Sequence, residues 1–167
     1  MCPDSLLVYQ AKIMNALNEQ TIQIQKLNEN AVLPTYGTDF SAGADLYACM
    51  DSPVPIPSGE AVLIHTGLAM AIPEGYAGLV FARSGLATKR GLAPSNKVGV
   101  IDADYRGEIM VSLYNHSKEQ RIVEPGERIA QIVITPYLKA DWQIADTLPE
   151  TERGSGGFGS TGTGRQS

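Results

Sequence analysis

From Thr21 onward, apolar positions come in short bursts rather than at helical spacing. Ile22 and Ile24 alternate with polar neighbours, as in a half-buried strand. Further apolar segments cover 44–49, 61–65, 67–72, 76–82, 97–101, 108–114, 120–123 and 127–137. Proline and glycine punctuate them, and the 17 glycines and 10 prolines suffice for the turns between. Many short strands at near-regular spacing predict an all-β barrel or sandwich. The start of the chain differs. Leu6, Leu7, Ile13, Met14 and Leu17 fall at helical spacing, with Asp4 or Ser5 available as N-cap, so 5–19 predicts a short extra helix.

A chain of 167 residues predicts one domain with its own core. Its 43% hydrophobic and 19% charged residues fit a globular protein. Cys2 and Cys49 cannot make a disulfide framework, and with His65 and His116 as the only histidines a structural zinc site is not expected. No apolar run nears the ~20 residues that span a bilayer, and Met-Cys-Pro-Asp lacks the basic start of a secretory signal. A cytoplasmic location with no membrane association is the expectation. A net charge of −5 disfavours stable nucleic-acid binding, but the charge is uneven. Residues 1–82 hold two basic and eight acidic side chains, whereas 83–167 hold eleven basic and ten acidic. The second half could therefore hold a small anion, although a solvated face of mixed sign would give the same count.

Five segments carry candidate chemistry. Phe81-Ala-Arg-Ser-Gly-Leu-Ala87 follows an apolar strand and offers a hydroxyl, bare backbone N–H groups and a positive fork, a cradle for phosphate or an ordinary turn. In Asn96–Gly107 two strand-like stretches flank a tight acidic turn, predicting a hairpin. Asp102 ends an apolar run there, so it is either a desolvated general base or a turn residue capping its own backbone. Tyr105 is a packing residue or a platform for a flat ligand. Gln131 and Asp45 stand in otherwise apolar surroundings and must find partners, from backbone or from ligand. The last fifteen residues, with six glycines between Arg153 and Arg165 and a lone Phe158, read as a disordered tail or as an arm that wraps phosphate.

Taken in order, AGADLYA at 42–48, ARSGLA at 82–87, NKVGVIDADYRG at 96–107, GERIAQ at 126–131 and RGSGGFGSTG at 153–162 resemble the five motifs of the trimeric deoxyuridine triphosphatase (dUTPase) family. The resemblance implies a jelly-roll-like distorted β-barrel in a homotrimer, with active sites at subunit interfaces. It implies hydrolysis of dUTP to dUMP and pyrophosphate with Mg²⁺ on the triphosphate, which limits uracil in DNA and supplies dUMP for dTMP synthesis. Asp102 is then the base that activates water. Arg83, Ser84 and Gly85 form the phosphate cradle, and Gln131 adds a phosphate contact. Asn96, Val100, Ile101 and Met110 read uracil, and Tyr105 lies under the deoxyribose. Arg153 clamps the γ-phosphate, while Phe158, with Gly159 beside it, covers the base. No side chain binds the metal directly, and Asp45 supports its water shell or the neighbouring phosphate residues. The resemblance implies a β domain over 21–150 and a glycine-rich arm over 151–167 that closes the site, while the N-terminal helical extension over 1–20 departs from the family's usual start.

Two rivals keep the scaffold. The sister deoxycytidine triphosphate deaminases need a Glu on the strand after the hairpin, where this chain has Ser112. A non-catalytic nucleotide sensor would bind without releasing pyrophosphate, and the presence of both Asp102 and the terminal arm argues against it.

Overall fold

The computed structural model describes residues 20–157, so the helix expected over 5–19 lies outside the described residues. Within them the chain is built of strands and one short helix. In order these are β1 (Gln23–Lys26), β2 (Thr35–Tyr36), β3 (Ala44–Tyr47), β4 (Val54–Ile56), β5 (Ala61–His65), β6 (Leu68–Ala71) and β7 (Tyr76–Phe81). The helix α1 (Ser84–Arg90) follows, then β8 (Leu92–Pro94), β9 (Gly99–Ile101), β10 (Met110–Asn115), β11 (Arg121–Val123) and β12 (Arg128–Pro136). The apolar bursts mark most of these strands. The exceptions, β2, β4 and β8, have two or three residues each, too few to show a period.

Hydrogen bonding is divided among four antiparallel sheets rather than one closed ladder. The largest has the order β2-β3-β12-β7-β9, and a second joins β5, β10 and β8. Together they wrap one core in the manner of a distorted jelly roll. The alternation along β10 shows how sequence makes this surface: Val111, Leu113 and Asn115 are buried while Met110, Ser112 and Tyr114 face outward. Leu46, Ile56, Ile64, Leu68 and Leu113 are fully buried, each contributing about 1.5–3 kcal/mol of hydrophobic stabilisation. Buried Asn115 is fully used: its Nδ2 donates to the Ile56 and Glu119 carbonyls at 2.9 and 2.8 Å, and its Oδ1 accepts from Ser117.

The expected hairpin after Asn96 forms its turn but not its ladder. β9 pairs with β7, while β10 pairs with β5 and β8, so the 102–109 segment crosses from one sheet to the other. Ser84–Gly85, read as a turn, instead opens α1. That helix stops at Gly91, whose left-handed φ of 69° lets its N–H cap the Ala87 and Leu86 carbonyls. After β12 no described residue is in a strand, and Leu138, Trp142, Ile144 and Leu148 are exposed. Among the described residues no helix is long and apolar enough to cross a membrane.

Candidate active site

Three neighbouring strands bring the first group of polar residues together. On the ladder β3-β12-β7, Gln131 lies opposite Asp45 on one side and Phe81 on the other. Arg83 follows Phe81 by two residues and so returns to the same face. Arg128 would point away from Gln131 in a regular strand, since three residues separate them. A bulge between Arg128 and Ala130 corrects the phase, and both side chains line one hollow.

That hollow, of about 430 Å³, is lined by Gly43, Asp45, Arg83, Arg128 and Gln131 among others. Asp45 organises it. Its Oδ1 accepts from Arg83 Nε at 2.6 Å and its Oδ2 from Arg128 Nη1 at 3.1 Å. Arg83 Nη1 also donates to the Arg128 carbonyl at 3.3 Å. Two guanidinium groups on one carboxylate leave a net positive hollow, with donors placed for an anion. Gln131 Nε2 donates to the Ala82 carbonyl at 2.9 Å. Ser84 and Gly85 lie beside it as the first turn of α1, exposed, and a side chain at Gly85 would meet nothing within 4 Å. N–H groups of a first helical turn have no partner inside the helix. At its other end, Arg90 bonds the Glu127 carboxylate and the Ile122 carbonyl, so α1 is pinned to the segment that carries Arg128.

A second cavity, of about 210 Å³, gathers Val100, Ile101, Asp102, Tyr105, Glu108 and Met110, with Leu63 of β5 as the apolar wall. Asp102 is exposed at the end of β9, and its carbonyl accepts the Tyr105 N–H at 3.2 Å. The Tyr105 hydroxyl donates to the Glu108 carbonyl at 2.9 Å. In this cavity Glu108 is the group with a clear shift. Burial acts to raise its carboxyl, but hydrogen bonds from His65 and the Gly67 N–H outweigh it and hold the group below the ordinary range. Asn96 does not line this cavity; it sits before the other end of β9, next to Lys97, which adopts a left-handed φ of 67°.

The two groups do not meet in one chain. Ile101 pairs with Gly78, whereas Arg83 lies beyond Phe81 at the far end of the same strand. At roughly 3.3 Å per residue that register separates Asp102 from Arg83 by on the order of 15–20 Å. Arg153 is exposed and donates to the Gly156 carbonyl at 2.8 Å, and Phe158 and Gly159 lie outside the described residues.

Arg128 is the site residue that sequence reasoning missed, although it stands inside GERIAQ; only the bulge reveals its direction. Among the described residues no three His, Cys, Asp or Glu side chains cluster as metal ligands. Both Asp45 oxygens are already taken by arginines. The residues present therefore fit a metal carried by ligand oxygens and water, not one held by side chains. Cys49 is buried, and burial, then the charges of Glu108 and Asp51, push its thiol up, which removes it as a nucleophile. Ser112, where a deaminase would need an acid, accepts a hydrogen bond from the Ser95 hydroxyl at 2.8 Å.

The folded chain is thus a jelly-roll-like β protein with an anion hollow and a separate carboxylate cavity. Residues 29–162 match the dUTPase family model, and the protein belongs to the dUTPase family. It is 54% identical over 137 residues to the deoxyuridine 5'-triphosphate nucleotidohydrolase of Maricaulis maris, covering 81% of this chain and 90% of that one. With the same enzyme of Rickettsia bellii the identity is 51% over 142 residues, covering 84% and 95%. A variant dUTPase of Staphylococcus bacteriophage 80alpha, solved with dUpNHpp, superposes with a TM-score of 0.75 at 29% identity, covering 87% of this chain and all of that one. A variant from phage phi11 of S. aureus, described as coordinating a structural Mg(II) ion, gives 0.69 at 27% identity, covering 77% and 98%.

Proposed function

We propose that this protein hydrolyses dUTP to dUMP and pyrophosphate at sites shared between subunits of a homotrimer. One observation carries the shared site: the phosphate hollow and the Asp102 cavity lie at opposite ends of β7, so neither alone can surround one nucleotide. A neighbouring copy that supplies the missing half resolves this, and the apolar Val100 and Leu63 exposed at the cavity give that copy a surface to cover.

Asp102 accepts a proton from a water molecule as that water's oxygen bonds to the α-phosphorus. The α–β bridging bond breaks in line, and pyrophosphate carries away the electron pair. General-base help of this kind contributes about 10²–10⁴-fold. The rest is positioning and charge stabilisation, because phosphate oxygens repel an incoming nucleophile. Arg83 and Arg128, oriented by Asp45, bind the phosphate chain, with Ser84, Gly85 and Gln131 as further donors. Mg²⁺, carried by the triphosphate rather than by a side chain, would supply further neutralisation of charge there. Tyr105 lies against the deoxyribose and leaves no space for a 2′-hydroxyl. Backbone groups at Val100, Ile101 and Met110 pair with uracil; cytosine reverses two of its polar groups and leaves them unpaired. Arg153 holds the terminal phosphate, and Phe158 and Gly159 close over the base.

The test is release of pyrophosphate from each deoxynucleoside triphosphate with Mg²⁺. Release from dUTP alone is expected. Ammonia release from dCTP, or dUTP binding without turnover, would overturn the proposal.

A further inference from the structure

Residues 102–107 form the one bridge between two sheets that carries both a base and a sugar platform, and five of the six are exposed. Its first end continues β9. Its second end is held at Glu108. The carboxylate oxygens there are both occupied: Oε2 lies 2.9 Å from His65 Nδ1, and Oε1 accepts the Gly67 N–H at 2.8 Å. A carboxylate only accepts, so the His65 tautomer facing it is the Nδ1–H form. The next residue is stitched to the same β5–β6 turn, with Ile109 N–H on the Leu68 carbonyl at 2.8 Å and the Thr66 hydroxyl on the Ile109 carbonyl at 2.5 Å. Tyr105 then donates its hydroxyl to the Glu108 carbonyl at 2.9 Å. Glycine at 107 leaves room for this arrangement, since a Cβ there would displace that hydroxyl.

We propose that Glu108, anchored by His65 and the Gly67 backbone, is a positioning residue that fixes the height of the Tyr105 ring and so sets discrimination against ribonucleotides. The inference rests on the dUTP-hydrolase reading above. Glu108 has no carboxylate oxygen to spare for a ligand, although it lines the cavity with Asp102 and Tyr105. It acts through its carbonyl. Removing the carboxylate takes away the His65 and Gly67 contacts and leaves the Glu108 peptide held only through the Ile109 contacts to Leu68 and Thr66. The acceptor of the Tyr105 hydroxyl is then less firmly placed, and the ring can tilt away from the sugar. A merely structural role would lower the melting temperature and leave substrate choice alone.

The experiment measures kcat/KM for dUTP and UTP, with melting temperature, in the wild type and in Glu108→Ala, Glu108→Gln, Tyr105→Phe and the Glu108→Ala/Tyr105→Phe double variant. The dUTP-over-UTP ratio is expected to fall about tenfold in Glu108→Ala and in Tyr105→Phe. The double variant should fall no further, because both changes break one contact. Glu108→Gln, which still accepts from Gly67 but no longer from His65, should lie between. An unchanged ratio in the single variants, or additive losses in the double, would overturn the inference. Should Glu108→Ala not fold, Glu108→Gln and Tyr105→Phe decide it on the same ratio. A wild type that releases no pyrophosphate from dUTP would instead overturn the hydrolase reading, before any variant is made.

Discussion

Asp45 has two oxygens, and each holds an arginine, so the phosphate hollow is assembled before any ligand arrives. Such preorganisation explains why a small change nearby should be felt in catalysis rather than in folding. Gly43 is the sharpest case. A Cβ there would lie 2.5 Å from Gln131 Oε1 and 3.3 Å from Gln131 Cβ, so the amide cannot swing aside and keep its bond to Ala82. Gly43→Ala should raise KM for dUTP about tenfold while costing only about 1 kcal/mol of stability, measured by steady-state kinetics beside thermal melts. Asp102→Asn acts on the other half of the site. It keeps shape and loses basicity, so turnover should fall about 10²–10⁴-fold while a non-hydrolysable dUTP analogue binds within a few-fold of wild type. Equal losses of binding and turnover would assign Asp102 to holding the nucleotide instead. Gln131 stands out in the sequence as a polar residue inside an apolar strand and Asp102 as the polar residue that ends one, but the pattern alone leaves a turn residue and a base equally open at 102. Arg128 was not legible, because period-two counting places it on the wrong face until the bulge is known.

Short elements explain what the sequence conceals at the next scale. α1 has seven residues, two turns at most, and Arg-Ser-Gly before it reads equally as a turn, so hydrophobic period cannot announce it. It exists because tertiary contacts hold both ends: Arg83 on the Arg128 carbonyl, and Arg90 on the Glu127 carboxylate. The sheet-crossing segment after β9 is similar. Apolar runs on either side of an acidic turn announce a reversal of the chain, but not that its limbs join different sheets. That crossing makes Glu108 a stabilising contact between the 102–108 segment and the β5–β6 turn. Its folded carboxyl titrates below the ordinary range, so its contribution is complete above the unfolded value, about 4.3, and is lost as pH falls through the lower folded value. Glu108→Gln should therefore flatten the decline of melting temperature as pH falls below the unfolded carboxyl value, where the wild type loses this contribution. An identical acid limb in both proteins would show that the His65 and Gly67 contacts do not favour the ionised form.

At the scale of the whole molecule, the register of β7 makes its own demand. Asp102 and Arg83 belong to one chain yet stand on the order of 15–20 Å apart along a strand that cannot shorten. A triphosphate with its base spans such a distance only if each end meets a different partner, and the α-phosphorus must touch both groups at once. In the proposed homotrimer, copies related by a closed threefold axis would satisfy this, each site taking Arg83 from one subunit and Asp102 from the next. Two dead variants can then repair each other. Asp102→Asn keeps the hollow and Arg83→Ala keeps the base, and each alone should be inactive. When the two are co-expressed in equal amounts, a site works only where the first variant supplies Arg83 and the second supplies Asp102. Random assembly meets that condition in about one quarter of sites, so about a quarter of wild-type activity should return. If both groups served a site within one protomer, every subunit would carry one lesion in its own site, and mixing would restore nothing.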